Sequence, residues 1–134
     1  MNAIKKFVSA FKSSAAGVRH TTPAEAARLV ASGSAVLVDV REPDEWKDGV
    51  ARPAVLLPLS DLTGPRQKWK AFLAQHRQRE IILYCKAGGR AANAAQLLAG
   101  EGYRVANVGG FSTWTAAGLP ARKPSEAAPS SRFL

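Results

Sequence analysis

Apolar runs alternate with helix-forming segments along most of the 134-residue chain. Runs rich in β-branched and other apolar residues predict strands at residues 35–40, 55–57, 81–84 and 104–108. The first three are almost continuously apolar, which predicts strands covered on both faces. Between the strands, helical patterns occupy residues 44–47, 62–76, 90–98 and 112–117. This alternation predicts an α/β fold with a largely parallel central sheet, flanked by helices on both faces.

A further helix is predicted near the start of this pattern. Thr22 and Glu25 have the spacing of a capping box, and Pro23 stands at the first helical position, where its missing N–H costs nothing. Gly33 then ends the helix.

The most informative segment is the one in which an apolar strand ends at Cys85, the only cysteine of the chain. A basic, glycine-containing loop follows and leads into strong helix formers at residues 91–98, closed by Gly100. In an open parallel sheet, ligands bind beyond the carboxyl ends of the strands, where Cys85 is predicted to lie. Unpaired N–H groups of a first helical turn, together with Lys86 and Arg90, make this place electropositive. The sequence therefore predicts a reactive cysteine held as its thiolate, the nucleophilic form.

The spacing from Cys85 to Arg90, with glycine at position 88, resembles the Cys-x-x-Gly-x-Arg active-site loop of the rhodanese (sulfurtransferase) family. Other segments match the family in order: Thr-Pro-Ala-Glu at 22–25, Leu-Val-Asp-Val-Arg-Glu at 37–42, Glu-Trp at 45–46, Gly-Gly-Phe-Ser-Thr-Trp at 109–114 and Gly-Leu-Pro at 118–120. The chain departs from the family at residues 49–54. Where the family often reads Gly-His-Ile-Pro-Gly-Ala, this chain has Val50 in place of the histidine.

The resemblance implies a rhodanese-like fold and transfer of a sulfane sulfur through Cys85, without a cofactor. The thiolate would attack the outer sulfur of a small anionic donor, thiosulfate or a persulfide, and an external thiol, cyanide or protein would then accept it. Arg90 would lock the loop or pair with the oxygens of the donor. The backbone around the terminal sulfur would come from the five residues after the nucleophile, which form the predicted substrate-binding loop: Lys86, Ala87, Gly88, Gly89 and Arg90.

Two other classes of function remain open. A cysteine phosphatase or arsenate reductase would use the same cysteine and arginine, but its chemistry is associated with Cys-x5-Arg loops, which are one residue longer. A non-catalytic rhodanese-like module would bind a partner or carry sulfur within a complex. Around the site, Asp39, Arg41 and Glu45 are interpreted as a structural hydrogen-bond network rather than as acid–base groups.

Charge and composition argue against nucleic-acid binding and against a metal site. The formal net charge is +9, but residues 1–20 carry +4 of it and residues 122–134 carry +2. The charge left on the domain is therefore modest, and because no aromatic interleaving accompanies it, nucleic-acid binding is not expected. One cysteine permits no internal disulfide, and His20 and His76 are far apart in sequence, so no metal site is expected. A reducing, cytoplasmic location fits this cysteine usage.

The two ends of the chain differ from the domain predicted at residues 18–121. Residues 1–17 form a basic segment in which Ile4, Phe7, Val8 and Phe11 lie on one helical face. Three interpretations of residues 1–12 stay open: a helix docked on the domain or on a protein partner, a membrane-surface or organelle-targeting segment, and a disordered arm. Residues 122–134 are rich in Pro, Ser and Ala, which predicts a disordered tail.

Overall fold

The computed structural model describes residues 17–125, and a five-stranded sheet forms their centre. The strands are β1 (Val18–His20), β2 (Ala35–Asp39), β3 (Val50–Ala51), β4 (Val55–Leu56), β5 (Glu80–Cys85), β6 (Val105–Gly110) and β7 (Ala121–Arg122). The helices are α1 (Pro23–Ala31), α2 (Pro43–Trp46), α3 (Leu59–Leu62), α4 (Gln67–Gln75), α5 (Gly89–Gly100) and α6 (Phe111–Ala116). The sheet has the order β1-β6-β5-β2-β4 with every neighbouring pair parallel, while β3 and β7 form a separate antiparallel pair.

The core lies on both faces of the sheet, as the apolar runs predict. Successive side chains of a strand point to opposite faces, so Val38 of β2 belongs to a core cluster that includes Trp69 of α4, while Leu37 belongs to a second cluster that includes Ala26 of α1 and Trp114 of α6. All five residues of β2 are buried. The predicted α/β fold, with a largely parallel sheet covered by helices on both faces, is confirmed.

The first helix begins at the predicted cap. The Thr22 side chain accepts a hydrogen bond from the Glu25 N–H (3.2 Å), and Pro23 occupies the first helical position. The Glu25 carboxylate accepts from the Thr21 hydroxyl (3.0 Å). Gly33 ends the segment with a left-handed backbone (φ 82°). This geometry explains why a glycine follows the helix.

The prediction of a single helix over residues 62–76 is wrong, because the chain forms two helices, α3 and α4, with a break between them. Pro65 lacks the N–H that a continuing helix needs, and Arg66 adopts a left-handed conformation (φ 57°). The Asp61 carboxylate accepts hydrogen bonds from the N–H groups of Gln67, Lys68 and Trp69, at 2.9–3.0 Å. Asp61 thus caps α4, so the helix begins at the break.

Two further expectations change at the edges. The run at 55–57 predicts a strand covered on both faces, but β4 lies at the edge of the sheet, and Val55 and Leu56 are only half-buried. Arg122, which the sequence assigns to the disordered tail, lies in β7 and pairs with Val50 of β3. Its guanidinium donates hydrogen bonds to the carbonyl groups of Arg52 and Ala54. Ordered structure therefore continues past residue 121.

The remaining expectations for the ends concern residues 1–16 and 126–134, which lie outside the described residues. The three interpretations of residues 1–12 and the disorder of residues 126–134 stay predictions. Within residues 17–125, no helix is both long and apolar enough to cross a membrane.

Candidate active site

Cys85 is the last residue of β5, a strand hydrogen-bonded to β2 on one side and β6 on the other. The residue is only 1% exposed, and the loop that follows folds back over its sulfur. Its Sγ accepts hydrogen bonds from the N–H groups of Gly88 (3.0 Å) and Ala91 (3.3 Å). Two N–H donors directed at one sulfur favour negative charge on it. The predicted strand–cysteine–loop–helix arrangement is therefore present.

Two glycines allow the backbone segments around the sulfur to approach each other closely. Gly88, the residue before α5, has a left-handed backbone (φ 104°), which side chains with a Cβ rarely adopt. Gly110 lies against the loop from the other side, so closely that a Cβ there would be 2.1 Å from the Lys86 carbonyl oxygen. A glycine at position 110 is therefore what lets the end of β6 lie directly against the cysteine loop.

Arg90 is held by Glu45 of α2, a partner 45 residues away in sequence. Its Nη1 and Nη2 donate to the two carboxylate oxygens of Glu45, at 2.6 and 2.8 Å. These hydrogen bonds lower the pKa of Glu45 to about 2 and raise the pKa of Arg90. Of the two predicted roles for Arg90, this ion pair supports locking of the loop. The pairing of Arg90 with the donor's oxygens stays a prediction, because only two of the five guanidinium N–H groups are used by Glu45. Glu45 joins the network expected around the site.

Asp39 and Arg41 form a second, buried pair at the end of β2. Asp39 is 0% exposed, and its carboxylate accepts from both the backbone N–H and the guanidinium of Arg41 at 2.8–3.1 Å. Arg41 also donates to the Gly49 carbonyl (2.8 Å) and lies 4.8 Å from the centre of the Phe111 ring. The pair therefore ties the end of β2 to the segment preceding β3, as the structural interpretation expected.

An open cleft of about 500 Å³ lies in front of these groups. Its walls come from α2 and the residues on either side of that helix, from the start of the cysteine loop, and from α6. The lining residues are Arg41, Glu45, Asp48, Lys86, Ala87, Phe111, Ser112 and Thr115. Lys86 is exposed and has no ion-pair partner among residues 17–125, so it is a cation that a bound anion could meet. Of the predicted loop residues, Lys86 and Ala87 line this cleft, Gly88 contacts the sulfur and Arg90 is bound to Glu45.

Comparison with known proteins agrees with this architecture. The family model described as "Rhodanese-like domain" matches residues 22–117, which include both strands that flank β5 and the whole cysteine loop. The chain belongs to the rhodanese-like family. The resemblance noted in the sequence is thereby confirmed.

Individual relatives of this rhodanese-like chain are similar at modest identity. An uncharacterized protein of Synechocystis is 38% identical over 94 residues, which cover 69% of this chain and 49% of that protein, so the chain spans about half the length of this relative. A sulfurtransferase of Allochromatium vinosum is 31% identical over 99 residues, 72% of this chain and 87% of that protein. A human single-domain sulfurtransferase superposes with a TM-score of 0.63 at 28% identity, covering 75% of this chain and 97% of that one.

Val50, which stands where the family often has a histidine, is a core residue of this rhodanese-like domain. Val50 is fully buried in β3, where it pairs with Arg122. It does not line the cleft, and neither do His20 and His76. His76 is buried at the end of α4, and burial, followed by the charge of Arg79, lowers its pKa.

Asn107 of β6 is a residue near the loop that the sequence interpretation missed. Its side chain, 7% exposed, donates from Nδ2 to the Gly88 carbonyl (3.3 Å) and accepts at Oδ1 from the Gly109 N–H (2.8 Å). The available signal was an amide in the middle of an otherwise apolar strand, because a buried polar side chain needs partners.

Proposed function

We propose that this rhodanese-like protein is a sulfurtransferase that carries a sulfane sulfur on Cys85 between a donor and an external acceptor. The observation that carries the proposal is the pair of N–H groups, from Gly88 and Ala91, that donate to the cysteine sulfur. A thiolate is an anion, so donors fixed on Sγ favour it, and the N–H groups of the same loop would surround the terminal sulfur of the persulfide, which is also an anion. The similarity to proteins named sulfurtransferases supports the same chemistry.

The first half of the reaction charges the enzyme. The Cys85 thiolate attacks the outer sulfur of thiosulfate, a new S–S bond forms, and the S–S bond of thiosulfate breaks. Sulfite leaves with the electron pair of that bond, and Cys85 is left as a persulfide anion. The exposed ammonium of Lys86 at the cleft is placed to attract an anionic donor, whereas Arg90 acts by holding the loop through Glu45. A persulfide donor would react in the same way, with a thiolate leaving.

In the second half of the reaction, an acceptor removes the sulfur from Cys85. An acceptor attacks the terminal sulfur, the Cys85 S–S bond breaks, and the thiolate is restored. With cyanide the product is thiocyanate, and with a thiol it is a new persulfide. Because Cys85 is the only cysteine, no second thiol of this chain can resolve the intermediate, so the acceptor is an external thiol, cyanide or a protein partner.

The geometry favours sulfur transfer over phosphate hydrolysis. Cys85 is 1% exposed, and its Sγ lies within 3.0–3.3 Å of two loop N–H groups. One terminal sulfur can approach such a buried thiolate more easily than a tetrahedral phosphate, whose several oxygens need a larger ring of donors. The loop also has four residues between cysteine and arginine rather than five.

Thiocyanate formation from thiosulfate and cyanide tests the proposal. Wild-type protein should turn over with the parallel-line kinetics of a double displacement, and Cys85→Ser should be inactive while keeping the wild-type far-UV circular dichroism spectrum. The same preparations should not hydrolyse an aryl phosphate. Aryl phosphate turnover that disappears in Cys85→Ser, with no transfer of sulfur, would replace this function by a phosphatase.

A further inference from the structure

Asn107 connects two backbone segments that meet beside the cysteine loop. Thr21 donates its N–H to the Asn107 carbonyl (3.2 Å), which fixes the backbone of this residue from the β1 side. The amide side chain then points its two ends at different partners, Gly109 and Gly88. The orientation of the amide follows from chemistry: the Gly109 N–H needs the oxygen, and the Gly88 carbonyl needs the NH₂ group.

The position of Asn107 follows from an irregularity in the sheet. Leu83 of β5 is paired with Asn107, but the next residue of β5, Tyr84, is paired with Gly109, so β6 contains one extra residue at this point. Such a bulge disturbs the ladder and leaves backbone groups in need of partners. The Asn107 oxygen accepts the N–H of Gly109, two residues ahead, in the manner of an Asx turn. The same side chain that closes the bulge therefore reaches the loop.

Gly88 transmits this contact to the sulfur. Its N–H donates to Cys85 Sγ (3.0 Å), while its carbonyl accepts from Asn107 Nδ2 (3.3 Å) and from the Ala92 N–H (2.9 Å). A glycine at φ 104° has wide conformational freedom, so contacts at its carbonyl limit how its N–H can turn. We propose that Asn107 is a positioning residue that keeps the Gly88 N–H directed at the Cys85 sulfur. This inference rests on the proposed sulfur transfer, because that reaction is what the N–H would assist.

Two substitutions separate the loop contact from the bulge contact. Asn107→Asp has the same shape and keeps an acceptor for the Gly109 N–H, but its second oxygen would face the Gly88 carbonyl without a hydrogen to donate. Asn107→Ser keeps a short acceptor that can serve the bulge, carries no charge, and does not reach Gly88. The control is Asn93→Asp, the same chemical change at an exposed position of α5.

The reaction is followed as the rate at which thiosulfate adds sulfur to Cys85, with iodoacetamide alkylation of Cys85 as a second readout that needs no sulfur transfer. Both Asn107 variants should react about tenfold more slowly in each assay, as the loss of one hydrogen bond in a buried network predicts. Asn93→Asp should stay within about twofold of wild type. Burial raises the pKa of a carboxyl at position 107, and the protonated carboxyl can donate to the Gly88 carbonyl. The ratio of the alkylation rate of Asn107→Asp to that of wild type should therefore rise as the pH is lowered towards about 5, and the ratio for Asn107→Ser should not.

Thermal unfolding of all the variants separates these effects from loss of the fold. If Asn107→Asp does not fold, the uncharged Asn107→Ser decides the question alone. Alkylation and sulfur addition at wild-type rates in a folded Asn107 variant would overturn the inference, as would a loss without recovery of Asn107→Asp at low pH. If wild-type protein takes up no sulfur, the proposed function fails instead, and the alkylation rates still decide the role of Asn107.

Discussion

A single methyl group at Gly110 should disturb the cysteine loop while leaving the backbone at position 110 unstrained. Gly110 has an extended backbone (φ −122°, ψ 164°), a conformation that alanine adopts without penalty. A Cβ at this position, however, would be 2.1 Å from the carbonyl oxygen of Lys86, 2.9 Å from its carbonyl carbon and 3.2 Å from the Cα of Ala87. Gly110→Ala therefore tests the close approach of two backbones, not the flexibility of a glycine.

The size of the effect follows from these distances. Carbon and carbonyl oxygen come no closer than about 3.3 Å in ordinary contacts, so Lys86 or Gly110 must move by about 1 Å. The Gly88 and Ala91 N–H groups lie 3.0 and 3.3 Å from the Cys85 sulfur, and a shift of this size in the same loop would weaken both hydrogen bonds. Overpacking of this kind costs about 1–3 kcal/mol of folding free energy, and misplacement by about 1 Å costs up to about a hundredfold in rate.

The assay compares Gly110→Ala with Gly100→Ala by urea denaturation and by the rate of sulfur transfer from thiosulfate to cyanide. Gly100 ends α5, and a Cβ there would meet no atom within 4 Å, so the control adds the same methyl group without a clash. We expect Gly110→Ala to lose transfer by more than tenfold and Gly100→Ala to match wild type. Equal transfer rates in the two variants would refute the argument that the loop depends on this contact.

Three further substitutions test single groups. Arg90 lowers the pKa of Glu45 to about 2 from its ordinary 4.5, so the Glu45 carboxylate stabilises the fold above pH 4.5, and this contribution is lost as the pH falls towards 2. Glu45→Gln should remove this pH dependence from the free energy of unfolding, an effect of about 1 kcal/mol for a partly exposed pair. The same substitution should slow sulfur transfer. Burial and Arg79 lower the pKa of His76, so wild-type protein should lose stability as pH falls below 6.5, and His76→Gln should lose less. Tyr84→Phe removes the hydroxyl that accepts the N–H of a buried β3 residue (2.8 Å), and should cost about 1–3 kcal/mol in urea denaturation.

Local patterns in the sequence are sufficient to predict the strand, loop and helix around Cys85. The apolar run before it, the glycines after it and the alanine-rich stretch that follows each specify their own conformation, so strand, loop and helix could be predicted from neighbouring residues alone. Pro65 is also a local signal, because a proline interrupts a helix, and the prediction of one helix over residues 62–76 does not take it into account. The Asp61 carboxylate caps α4 from six to eight residues away, a spacing that the three-residue capping-box pattern does not contain.

The contacts that hold the loop could not be predicted in the same way. Glu45 meets Arg90 across 45 residues, and Asn107 meets Gly88 across 19, so neither pair leaves a periodic signal in the chain. That Arg90 binds Glu45 depends on where α2 lies relative to α5. The edge position of β4 is likewise a property of the sheet order, which an apolar run of three residues does not encode.

If Cys85 carries the transferred sulfur, the persulfide adds a defined mass to the protein, and intact-mass measurement detects it. After incubation with excess thiosulfate and removal of the donor, wild-type protein should gain the mass of one sulfur atom, and cyanide should return the mass to its starting value. Cys85→Ser should gain nothing. An unchanged wild-type mass after treatment with thiosulfate and with polysulfide, or an equal gain in Cys85→Ser, would show that Cys85 does not carry the sulfur.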